Sequence, residues 1–103
     1  MSSGYVAILT VELHFPEAGS LKGKRHYVRS AKDVLRQRFG ASVAEADHHD
    51  LWQRATLTVA CAARTAHEAD ELAAGAERWL ASGDPVLVRC DRLLVSPEDS
   101  EDS

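Results

Sequence analysis

Aromatic residues make up only 6% of this 103-residue chain, and it holds just two cysteines. Cys61 and Cys90 each sit among apolar neighbours and form no CxxC spacing, which argues for two buried free thiols rather than a disulfide or a redox pair. No apolar run approaches the ~20 residues of a membrane span. The opening Met1-Ser2-Ser3-Gly4 has neither the charged nor the apolar region of a secretory signal, so a cytoplasmic protein with no membrane association is expected. The chain also lacks a GxSxG elbow, a GxxxxGK[ST] phosphate loop, a glycine-rich dinucleotide fingerprint and a cysteine placed with a histidine partner. No catalytic residue and no cofactor is therefore assigned.

What the chain does have is charge in an uneven arrangement. Seven of its twelve basic residues fall between Lys22 and Arg38, where Asp33 is the only acid, although the formal net charge of the whole is -4. Lys22, Arg25, Arg29, Lys32 and Arg36 follow a 3-4-3-4 spacing, which at ~100° per residue confines them to an arc of about 80° on one helix face. A row of cations suits a polyanion such as an RNA backbone, because each neutralised phosphate releases counterions. A solvated helix face carries the same pattern. At the other extreme, Glu98, Asp99, Glu101 and Asp102 crowd the stretch after Pro97, and without them acids and bases balance at twelve each. Residues 1–96 read as a single domain and 97–103 as an acidic, disordered tail.

Hydrophobic periodicity gives the element order. Residues 5–15 alternate with one strongly apolar face, a first strand. Ser20 is a candidate N-cap for a helix whose apolar stripe, Tyr27, Val28, Ala31, Val34, Leu35 and Phe39, stops at Gly40. Residues 43–47 and 54–62 form a second and third strand joined through Asp47-His48-His49-Asp50. Thr65-Ala66-His67-Glu68 has capping-box spacing, and the second helix it opens runs to Gly83. Residues 86–95 supply a fourth strand, with Arg92 on the phase of Val86, Val88 and Cys90, which suggests a bulge or a strand end there. The order β-α-β-β-α-β is that of an α+β, ferredoxin-like domain, a four-stranded antiparallel sheet with both helices on one face.

This topology gathers the end of the first strand, the start of the first helix, the turn between strands two and three and the end of the second helix at one end of the sheet. Lys24 falls on the core side of its helix, so its ammonium must snorkel or find an acid, which Asp47 or Asp50 could supply. His48 and His49 are adjacent, so they point apart, and the HxH, HxxxH and HExxH spacings are absent; a metal site is not expected. The open sheet face offers Val6, Ile8, Thr10, Glu12, Glu45, Thr56, Thr58 and Ala60. It has no aromatic pair of the kind RNA-recognition-motif sheets use to stack bases.

Ser20-Leu21-Lys22-Gly23-Lys24-Arg25, Arg38-Phe39, Val43-Ala44-Glu45-Ala46-Asp47 and Asp50-Leu51-Trp52-Gln53-Arg54-Ala55 together resemble the YlxP-like family of small bacterial proteins, formerly catalogued as a domain of unknown function. The likeness covers nearly all the chain except the acidic tail. Gly23 and His49 depart from its usual pattern. The resemblance implies a ferredoxin-like fold and, from the translation and ribosome-maturation genes that often neighbour its members, a role in ribosome assembly or RNA association. It transfers no catalytic residue.

The leading expectation is a non-enzymatic RNA- or ribosome-associated accessory factor, with ribosomal RNA or a ribosomal particle as partner. Lys22, Arg25, Arg29, Lys32 and Arg36 would make backbone contacts, and Trp52, Gln53 and Arg54 would add contacts from the hairpin end. The rival expectation is a homodimeric protein-interaction module that uses the open sheet face or an edge strand and binds no nucleic acid.

Overall fold

The computed structural model of the chain describes residues 3–15, 20–47, 51, 53–83 and 85–100. Four strands, β1 (Tyr5–His14), β2 (Ser42–Asp47), β3 (Arg54–Ala63) and β4 (Val86–Val95), and two helices, α1 (Leu21–Phe39) and α2 (Ala66–Ala81), follow one another in the order β1-α1-β2-β3-α2-β4. The sheet is antiparallel at every pairing, in spatial order β2-β3-β1-β4. This is the ferredoxin-like α+β fold that the periodicity implies. The first four residues of the acidic stretch form a 3-10 turn, Pro97–Ser100.

The helix boundaries follow from local chemistry. Ser20 is extended (φ -163°, ψ 158°), and its hydroxyl accepts the Gly23 N–H at 3.1 Å, satisfying one of the four N–H groups that a helix start leaves without a partner. Gly40 ends α1 in the left-handed region at φ 63°, where its N–H donates to the Arg36 carbonyl at 3.0 Å while the Ala41 N–H reaches Leu35 at 3.2 Å. In α2 the Thr65 hydroxyl takes the Glu68 N–H at 3.1 Å. Both caps lie where the sequence places them.

Alternation on β1 and β3 builds the core. Ala7, Leu9, Val11 and Leu13 pair across the sheet with Cys61, Val59, Leu57 and Ala55, and all eight are buried beneath the helices. From above they meet Val28 and Leu35 of α1 and Ala69, Ala73, Ala76 and Leu80 of α2. The alanines let α2 settle close to the sheet, and removal of this apolar surface from water is the main stabilising term.

The bulge in β4 lies closer to the strand's start than Arg92 suggests. Glu12 pairs with Arg89 and Leu13 with Leu87, so Val88 is the extra residue. The shift turns Val86 onto the open face opposite His14, while Cys90, Arg92 and Leu94 share the helix side. Arg92 is there because α2 supplies two acids: its guanidinium donates to Asp70 at 2.7 Å and Glu77 at 2.9 Å, tying the edge strand to the helix above.

Candidate nucleic-acid interface

Five cations lie along one flank of α1. Lys22, Arg25, Arg29 and Arg36 are exposed and Lys32 is half-buried. At ~1.5 Å of rise per residue the row is about 21 Å long. Arg36 reaches Asp33 at 3.2 Å, a solvent-exposed pair of little energetic weight. Among the described residues, the side chains of Lys22, Arg25, Arg29 and Lys32 have no acidic partner. The opposite flank carries Tyr27 and Val34 and turns toward the centre of the domain, where Tyr27 meets Phe15 edge-on with ring centroids 5.6 Å apart. Arg38, near the end of that flank, lines a groove of about 550 Å³ against α2 together with Phe39, Leu72 and Gly75. The cationic row is therefore on the outer side of α1, away from α2.

Below the row, Lys24 is held inside the protein. Its side chain is 0% exposed, and its ammonium donates to the Leu51 carbonyl at 2.8 Å and the Arg54 carbonyl at 3.1 Å. It also lies 2.9 Å from Glu45 Oε2, whose side chain is 15% exposed. Glu45 thus faces the helices and not the open sheet, correcting the expectation from its charge: it pairs in register with the buried Leu57. It is also the described acid that answers Lys24; Asp50 and the side chain of Asp47 lie outside the described residues. The contact is one of charge with charge, off the axis of a hydrogen bond, and Oε2 has no hydrogen-bond partner among the described residues. Lys24 therefore fastens the first turn of α1 to β2 and to both sides of the β2–β3 hairpin.

The expected gathering at this end of the sheet is present. The Phe15 N–H donates to the Gln53 carbonyl at 2.8 Å, and His14 pairs with Arg54 on one side and Val86 on the other. The Arg54 side chain does not extend the helix surface, however. Arg54 lies on the open face, 3.8 Å from Glu12 Oε1, with the sheet between it and α1. Gln53 is exposed beside it. Trp52, together with His48, His49 and Asp50, lies outside the described residues. The structure brings five of the eight candidate binding residues into one row and leaves Arg54 off it.

Burial raises the pKa of the Cys61 thiol and of the Tyr27 hydroxyl. Cys90 is pushed up to about 11, first by burial and then by the neighbouring Glu77 carboxylate. Both cysteines are free thiols, and Cys61 is fully buried. Both cysteines are accordingly poor nucleophiles at neutral pH. Among the described residues no three His, Cys, Asp or Glu side chains are grouped to hold a metal ion, and no helix is long and apolar enough to cross a membrane.

These features define a small α+β domain of ferredoxin-like topology whose most distinctive surface is a cationic helix flank. A family model described as a protein of unknown function (DUF503) matches residues 6–90, and the chain belongs to that family. No curated protein matches it.

Proposed function

We propose that this protein is a non-enzymatic, RNA- or ribosome-associated accessory factor of the bacterial cytoplasm, a YlxP-like member of its family, which lays α1 along a phosphate backbone. The observation that carries the reading is the row of Lys22, Arg25, Arg29, Lys32 and Arg36 on the outer flank of one 19-residue helix, with Asp33 the only acid in that helix. Such a row meets successive phosphates without reading bases, so it recognises shape more than sequence. The start of α1 assists, because its N–H groups and Lys22 favour an anion at the same end of the row. The hairpin contributes through Gln53 and Trp52, while Arg54 reaches a ligand only at the sheet's other face.

Binding to ribosomal particles and to bare ribosomal RNA across a salt series tests this reading. Five phosphate contacts give a log-log slope of about -3.5 on single strands, a loss of about a hundredfold for a fourfold rise in salt. Arg29→Glu with Lys32→Glu is expected to abolish the saturable, salt-sensitive component while the circular dichroism spectrum stays unchanged. Affinity equal to the parent's would remove α1 as the binding surface.

A further inference from the structure

Among the described residues, five large apolar side chains are more than a third exposed, and four of them, Val86 at 49%, Val88 at 61%, Leu93 at 59% and Leu94 at 39%, belong to β4. That strand is also an edge of the sheet, ten residues long against six for β2 at the other edge. One side of it is paired with β1; the other presents backbone donors and acceptors with no strand beside them among the described residues.

The order of side chains along β4 states what fits there. Its register against β1 places Val86, Arg89, Asp91, Leu93 and Val95 on the open face, where Arg89 also donates to Asp91 of its own strand at 3.0 Å. Read outward from Cys90, this series is self-complementary, an acid and a base one step to either side and an apolar residue beyond each. We propose that β4 pairs antiparallel with β4 of a second copy of this chain about a two-fold axis at Cys90, joining the two sheets into one of eight strands. If the partner strand crosses the Val88 bulge as β1 does, Arg89 stands opposite the partner's Asp91, and Asp91 opposite the partner's Arg89. Val86 then stands opposite the partner's Leu93, and Leu93 opposite the partner's Val86. Cross-strand pairs of this kind stabilise a sheet, and like charges directly opposite oppose it. Moving the axis by one residue sets Asp91 against the partner's Asp91, or Arg89 against the partner's Arg89, so charge selects the register.

The pairing uses the sheet edge farthest from β2, and the cationic flank of α1 plays no part in it. It does not rest on the RNA reading. The eight-stranded sheet would carry both α1 helices on one face, with about six strand spacings between them, or about 29 Å.

Sedimentation velocity of the full chain over a concentration series tests the proposal, with Arg89→Asp, Asp91→Arg and the two combined. The parent is expected to dimerise. Each single variant, which creates two like-charge oppositions, should weaken the dimer about tenfold or more, and the combined variant, which restores both pairs in exchanged order, should recover it. A monomeric parent at every concentration overturns the proposal, as does a dimer indifferent to all three variants.

Discussion

Replacing Lys24 with methionine keeps a long unbranched side chain and removes its charge. Two backbone carbonyls, of Leu51 and Arg54, lose a donor at 2.8 and 3.1 Å, and the Glu45 carboxylate loses a cation at 2.9 Å. Breaking a buried ion pair from one side costs about 3–5 kcal/mol. Glu45 keeps 15% of its side-chain surface in water, which favours the lower end. A loss of about 3 kcal/mol is thus expected from a total that for such domains is about 5–15 kcal/mol. It should appear in urea unfolding as a lower midpoint with an unchanged slope, and in heating as a Tm lower by about 10–25 °C. Lys24→Met with Glu45→Met removes both charges and should recover part of the loss, the remainder being the cost of two carbonyls without a donor. A single-variant cost under about 1 kcal/mol, or a double-mutant cycle with no coupling, would show that the buried ammonium does not fasten the hairpin.

Other consequences can be checked on the same material. A Cβ at Gly75 would lie 2.8 Å from Cε1 of Phe39, so Gly75→Ala should destabilise the parent by about 1 kcal/mol in urea unfolding and stabilise a Phe39→Ala background by a similar amount through helix propensity. Ser20→Ala and Thr65→Ala should each cost about 1 kcal/mol in the same assay, because each leaves an N–H at a helix start without its acceptor. Because the pKa of Cys90 is raised from 9.0 to about 11, its contribution to stability is present below pH 9 and declines as pH rises through that window. Cys90→Ala should flatten that alkaline decline in a stability-against-pH profile, and a profile identical to the parent's would remove Cys90 as its cause.

The fold was legible because several levels of the sequence agree. Alternation in β1 and β3, helical spacing in α1 and α2, and caps at Ser20 and Thr65 all point to one element order, and that order has few compact solutions. The row of cations was legible for the same reason, since helical phase alone sets its angle. Glu45 was misread where two rules conflict: alternation from Val43 turns it toward the helices, while its charge argues for the open face. The resolving signal was Lys24, itself on the wrong side of α1 for a cation, since two misplaced opposite charges on facing elements can satisfy each other. The β4 bulge was harder to place because residues 86–90 alternate acceptably in either phase, and only pairing with β1 separates them. Arg54 was assigned to the site by its closeness in sequence to the hairpin, but strand alternation sends its side chain through to the opposite face.

The central place of β1 has a kinetic side. Val6 is flanked in the sheet by Ala62 and by Val95, residues that follow it in the chain by 56 and 89 positions. At synthesis rates of roughly 5–20 residues per second, the second of these partners arrives about 4–18 s after Val6. During that interval α1 can form from local contacts, but the apolar side of β1 has nothing complete to cover it, and one of its edges stays open until β4 emerges. Contacts of such long range also slow the final closure, because the connecting chain must be brought together before the contacts reward it. A nascent chain stalled within α2 would carry an interior strand with one edge still unpaired, so the order in which this domain is made leaves β1 waiting longest for its last neighbour.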